Sequence, residues 1–165
     1  MGVECNLWQL SNEEVEQFTS MSGDDFTDYI FNVHPCDFDL EKMWDMMHYL
    51  YCGTVELHPL PAGFIKSNGT ITGHWQGNMG EEDEGFRCFS QTETKRIADF
   101  LDTLDLVTLQ SRYDPVKMFD EEVYGFCEDE DEDELPEEFI TWHEEIQKFF
   151  RAAAHSGLSV GILFV

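Results

Sequence analysis

Between Asp39 and Gly53 the chain reads Asp-Leu-Glu-Lys-Met-Trp-Asp-Met-Met-His-Tyr-Leu-Tyr-Cys-Gly, and its apolar residues restrict what that stretch can form. Leu40, Met43, Trp44, Met47, Leu50 and Tyr51 recur at the spacing of one face of a helix with 3.6 residues per turn. Asp37 or Asp39 stands where an N-cap belongs, since a short carboxylate accepts bonds from the free N–H groups of a first turn. Gly53 stands where a helix ends in a left-handed residue. The spacing therefore predicts a helix over 38–52 whose wide aromatic stripe packs into a core. A narrower stripe of Glu41, Asp45, His48 and Cys52 gathers the side chains from which any chemistry would start.

That stripe needs a surface to cover it, and the two ends of the chain supply one. Residues 2–10 place Val3, Cys5 and Leu7 on one side and Glu4 and Asn6 on the other, a strand with one better-buried face. The last residues, Leu158-Ser159-Val160-Gly161-Ile162-Leu163-Phe164-Val165, are apolar on both faces and predict a strand in the middle of a sheet. Ser11 and Glu14 form a capping-box pattern opening a helix to about Ser20. Residues 21–37 show no clear period and read as an ordered loop with one helical turn. Gly85-Phe86-Arg87-Cys88-Phe89 is a short strand, and Ser90 or Thr92 caps a helix carrying Ile97, Phe100, Leu101 and Leu104. A further helical segment carries Leu106, Leu109 and Tyr113, and Asp114-Pro115 opens another that ends near Tyr124-Gly125. Pro136, Glu137 and Glu138 begin a long helix that Gly157 stops. The order predicts one α/β domain over 1–165: a small mixed sheet with the N- and C-terminal strands central, flanked by helices in three αβα layers. Mobile segments are expected near 54–84, rich in glycine and proline, and near 127–135.

The charge balance narrows the partners. The chain has 35 acidic and 9 basic residues, a net charge of −26. Phosphates would be repelled, so direct contact with nucleic acid or an anionic membrane is not expected. A basic protein partner suits the balance, and solvation of an acidic surface is the plain alternative. The run Glu128-Asp129-Glu130-Asp131-Glu132-Asp133-Glu134 lacks the glycine and ligand spacing of a calcium loop. No apolar run approaches a membrane span, and the opening residues lack a secretory pattern. Five cysteines, an odd number without a Cys-x-x-Cys pair, predict reduced thiols in the cytoplasm.

Several local patterns, taken in order, resemble one family. They are Met1-Gly2-Val3; Glu41-Lys42-Met43-Trp44-Asp45 with His48-Tyr49-Leu50 and Gly53; and Gly85-Phe86-Arg87-Cys88-Phe89 leading to Lys95-Arg96-Ile97-Ala98. Tyr113-Asp114, Met118, Tyr124 and Phe149-Phe150-Arg151-Ala152-Ala153-Ala154 follow. The set resembles the YfbM-like family, bacterial proteins classed as a domain of unknown function, along nearly the whole chain. The resemblance implies a single α/β domain and brings no catalytic residues with it. The acidic run 128–134 is not part of that resemblance.

Asp45 and His48 are three apart, hence helix neighbours, and a carboxylate that orients a histidine is half of many acid–base sites. The plain reading is a polar pair that fixes a nearby loop. No serine or cysteine elbow accompanies them. The six histidines show no metal-ligand spacing, so no metal is expected. Gly73-His74-Trp75-Gln76-Gly77 lacks the Lys-Ser/Thr end of a phosphate loop, and no cofactor is expected. Trp44, Asp45, His48, Trp75 and Tyr124 are the candidate ligand- or partner-binding residues, with Trp75 the best exposed anchor and residues 128–134 the candidate acidic surface. The sequence favours a non-catalytic acidic protein that binds a protein partner, for example as an immunity- or antitoxin-like inhibitor. A small-molecule-binding protein or enzyme built on Asp45 and His48 is the alternative.

Overall fold

A computed structural model describes residues 2–21, 23–66, 86–127 and 134–165. Strand β1 (Cys5–Leu10) pairs antiparallel with β4 (Ser159–Phe164) along its full length, from Cys5 opposite Phe164 to Leu10 opposite Ser159. The two-residue β2 (Phe38–Asp39) adds to the outer edge of β1, and β3 (Arg87–Phe89) to the outer edge of β4, giving the order β2-β1-β4-β3. The terminal strands are thus central, as their apolar character predicts. Every described pair is antiparallel, however, where a mixed sheet was expected. The connection explains this. The chain leaves β3 at Phe89, opposite Val160, passes through four helices and re-enters the sheet at that same end, so β4 must run back along β3.

Strand alternation sends side chains into two cores. Cys5, Leu7, Phe89, Val160 and Ile162 face the helices α3 (Trp44–Cys52), α4 (Gln91–Thr103) and α7 (Glu137–His155). Trp8, Leu10 and Leu163 face the other way, with Phe86, onto Phe18 of α1 (Asn12–Ser20) and Phe26 of α2 (Gly23–Asp28). That second core is an aromatic cluster: Phe18 lies 6.0 Å from Trp8, 5.9 Å from Phe26 and 5.1 Å from Phe86 between ring centroids. β1 is therefore buried on both faces, and Trp8 supplies the burial that the alternation of its neighbours conceals.

The helix starts follow local chemistry. Ser11 and Ser90 each close a full capping box, with Glu14 and Glu93 accepting from the serine backbone N–H groups. Asp105 caps α5 (Leu106–Arg112), and Asp114 with Pro115 opens α6 (Pro115–Asp120), which ends earlier than expected. Gly157 follows α7 at φ +65°.

Two stretches differ from expectation. Residues 21–37 hold more helix than one turn: α2 runs directly into a π-helical turn at Tyr29–Val33, with Phe26 and Ile30 buried. The helix expected from residue 38 begins only at Trp44. Phe38 and Asp39 pair with β1, and Leu40 N–H still donates to Cys5 O, so the sheet holds the backbone extended. Asp39 caps only the turn that follows, accepting from Glu41 N–H at 2.7 Å, while Asp37 accepts from Gln9 N–H. Glu41 then takes a left-handed φ of 49°, which breaks the path before the helix. The C-terminal end is as expected: Gly53, at φ 72°, donates to Tyr49 O. Among the described residues no helix is long and apolar enough to cross a membrane.

Gly161 is the tightest point of the sheet. A Cβ there would lie 2.4 Å from Phe86 Cζ and 3.1 Å from Leu10 Cδ1. Gly161→Ala is expected to destabilise the protein by about 1–3 kcal/mol through overpacking, measured by urea unfolding. A stability equal to the parent chain would show that the Phe86 ring moves freely.

Candidate functional site

Helix α3 is buried on almost every side, because residues Asp45 through Tyr51 are all covered. Its polar stripe therefore faces protein. Asp45 meets the backbone turn after α6: Oδ2 accepts from Tyr124 N–H at 2.8 Å. Its other oxygen has no aligned hydrogen-bond donor but stands 2.5 Å from Lys66 Nζ, an ion pair in which the carboxylate is 5% exposed and the ammonium 19%. Lys66 also donates to Val55 O at 2.6 Å and lies 5.3 Å above the Trp44 ring. Trp44 stacks on Tyr124 at 5.3 Å, and its indole N–H donates to Val3 O at 3.0 Å. The Tyr124 hydroxyl accepts from Val3 N–H at 2.9 Å. Trp44, Asp45 and Tyr124 thus come together, around a lysine, as a clamp on the segment that leads into β1.

His48 belongs to a different contact. Its Nε2 lies 2.9 Å from Glu56 O, which can only accept, so Nε2 carries the proton. Nδ1 is left to accept the Cys52 thiol at 3.9 Å. Burial pulls the imidazole pKa down to about 4 and pushes the Cys52 thiol up to about 12. At neutral pH both groups are neutral, the opposite of the thiolate–imidazolium pair that nucleophilic catalysis requires. Asp45 and His48, though helix neighbours, turn to separate partners, and no hydrogen bond joins them.

Some contacts around α3 have little warning in the sequence. Arg112 donates to Leu50 O at 2.9 Å and to Tyr51 O, capping the C-terminal carbonyls of the helix with a cation. Arg87, also buried, donates to Ile65 O at 2.8 Å. The Tyr51 hydroxyl meets His143 Nδ1 at 3.1 Å, while His143 Nε2 donates to Leu104 O at 3.3 Å. Lys66 is flagged only by its place after the fully buried Phe64 and Ile65. An open cleft of about 500 Å³ lies elsewhere, between the N-terminal ends of α1 and α4, and includes Asn12, Cys88, Gln91 and Ser159. None of the described candidate residues lines it. Among the described residues no group of three His, Cys, Asp or Glu side chains is placed to hold a metal. Trp75 and residues 128–133 lie outside the described residues, and Glu134 is exposed.

Two tests follow from this geometry. Lys66→Met leaves the Asp45 carboxylate buried without its counter-charge and is expected to cost about 2–4 kcal/mol in chemical denaturation. The double variant Asp45→Asn/Lys66→Met should regain a large part of that loss, and strict additivity would mean the two do not act as a pair. His48 sets a pH dependence. Its folded pKa lies below the ordinary 6.5, so its contribution is intact above that pH. As pH falls from 6.5 towards about 4, only the unfolded chain takes up this proton, and stability drops by up to about 1.4 kcal/mol per unit. Unfolding midpoints across this range should fall less steeply for His48→Gln, and parallel profiles would count against a neutral buried imidazole.

The fold also occurs in a protein whose structure has been solved. The crystal structure of YfbM from Escherichia coli, a protein of unknown function, superposes with a TM-score of 0.68 at 15% identity, over 99% of each chain. At that identity the likeness concerns the fold alone. Comparison with curated protein sequences gave no match. Residues 1–163 match the model of the family described as "Domain of unknown function (DUF1877)", and the chain belongs to that family.

Proposed function

We propose that this protein is a non-catalytic cytoplasmic binding protein whose acidic surface engages a basic protein, in the manner of an immunity or antitoxin inhibitor. The observation that carries this reading is the disposition of its few cations. Lys66, Arg87 and Arg112 are turned inward, onto Asp45 and onto backbone carbonyls. Lys95, Lys117, Lys148 and Arg151 each lie within 4.0 Å of a carboxylate of the chain itself, namely Asp99, Glu121, Glu145 and Asp102. Such surface pairs add little stability, but each removes a positive charge from what a partner meets. The other two cations, Lys42 and Arg96, are exposed, and with 35 acidic against 9 basic residues the excess of 26 negative charges remains largely on the outside. A field of one sign raises the association rate of an oppositely charged protein and repels nucleic acid.

The acidic run 128–134 adds seven carboxylates to the chain's charge, and of these Glu134 is described and exposed. Phe126 N–H donates to Val123 O just after α6, and Leu135 N–H donates to Gln110 of α5 at 2.7 Å. The cytoplasmic reading is supported by five unpaired cysteines, of which Cys5 is buried and Cys127 exposed. For Asp45 and His48 the internal bonding and the neutral, buried imidazole favour a structural role over a reaction.

The test is affinity capture from the source cells at low salt, then titration of each purified candidate pair with salt. Capture of a basic protein whose affinity falls by about tenfold or more between 50 and 300 mM salt is expected. Failure to recover any basic protein, or affinities indifferent to salt, would overturn the proposal.

A further inference from the structure

We infer that the outer face of α5 and α6 is where the partner docks, and that it takes a basic amphipathic helix. This rests on the proposed engagement of a basic protein and names the surface and the shape of its partner. The two short helices are held to the body by Leu109, Tyr113 and Met118, all buried. Their other apolar residues do no such work. Leu106 is 50% exposed, Val107 77%, Val116 70% and Phe119 45%, and most of the large exposed hydrophobic side chains of the described chain fall in this one stretch. Two residues, Tyr113 and Asp114, join the helices, and each helix is only about 10 Å long at 1.5 Å per residue. The four side chains therefore lie within roughly 20 Å of one another, the scale of one standard binding patch.

The charges around them specify what fits. Asp105, Asp114, Asp120 and Glu122 are exposed, and Glu121 is partly so. The two cations of the stretch are directed elsewhere: Arg112 onto the C-terminal carbonyls of α3, and Lys117 to Glu121 and over the Tyr49 ring at 5.8 Å. Exposed apolar side chains and exposed carboxylates thus share the one stretch 105–122, a composition that complements a helix with an apolar stripe flanked by Lys and Arg. A second copy of the chain is the wrong occupant on charge, since each copy carries a net −26.

The test uses the intact protein and two synthetic peptides, an 18-residue Leu/Lys amphipathic helix and a scrambled peptide of the same composition. At low salt the amphipathic peptide should bind more tightly than the scrambled one, and amide shift changes should concentrate in residues 105–122. The variant Val107→Ser/Val116→Ser/Phe119→Ser should lose about tenfold or more in affinity. Phe31→Ser/Val33→Ser, which alters exposed apolar residues elsewhere, should change it by less than about twofold. Circular dichroism and melting confirm that each variant folds, and should the triple variant not fold, Val107→Ser alone and the shift map decide. Tight binding that the α5–α6 changes leave intact would overturn this surface while leaving a basic partner standing. Failure of both peptides to bind would count against both readings. A concentration-dependent dimer abolished by the triple variant would overturn the helix in favour of a second copy.

Discussion

The antiparallel ladder between β1 and β4 is the contact on which the other layers depend. It joins the first strand to the last, so it closes a loop of nearly the whole chain, and that long-range closure carries an entropic cost the cores on both faces must offset. Once formed, it separates two cores. The one under α3, α4 and α7 receives Cys5, Leu7, Val160 and Ile162, and the aromatic one under α1 and α2 receives Trp8, Leu10 and Leu163. Side chains alternate with a period of two, so a slip of one residue would exchange those sets between faces of different shape. Gly161 and Phe86 hold the register in place, because the ring fills the space that a side chain on β4 would need.

Around this ladder, buried charge serves as a connector. Asp45 draws together α3, the turn at Tyr124 and Lys66, and Trp44 with Tyr124 ties the same cluster to Val3 ahead of β1. A buried ion pair contributes little net stability against an apolar replacement of the same size, but it is costly to break from one side. That asymmetry suits a connector between irregular segments, which have no periodic pattern of their own to fix their position. His48 on Glu56 O and Arg87 on Ile65 O act on the same region through backbone carbonyls.

How legible these features are depends on the range of the interaction behind each. Ser11 with Glu14, Asp114 with Pro115, and Gly53 are decided within four residues and each marks its helix end as read, while of Ser90 and Thr92 it is Ser90, boxed with Glu93, that caps α4. The central placement of β4 follows from its lack of a polar face. The start of α3 was not legible, because Asp39 is a good cap that the sheet has already claimed through Asn6 and Cys5. The Asp45–His48 pairing misleads for a similar reason. Helical spacing places the two side chains side by side, but Lys66, Tyr124 and Glu56, which reach them from elsewhere in the chain, decide where each one turns. No local pattern announces those partners.

Where the cations are placed bears on the proposal of a basic partner. Solubility is served by interspersed charges and a net charge of about 2–8 in magnitude for a small domain, and −26 lies well beyond that. Here Arg112 caps α3, Arg87 and Lys66 bond the carbonyls of Ile65 and Val55, and Arg151 and Lys95 are met by neighbouring carboxylates. Of these, Arg87 and Arg112 go to backbone carbonyls and the others to carboxylates, so few cations stand apart on the surface. The compact state bears the self-repulsion of a net charge of −26. A cost of that kind, together with apolar side chains left open between carboxylates on α5 and α6, is better matched to recognition of a cationic, partly apolar partner than to solvation.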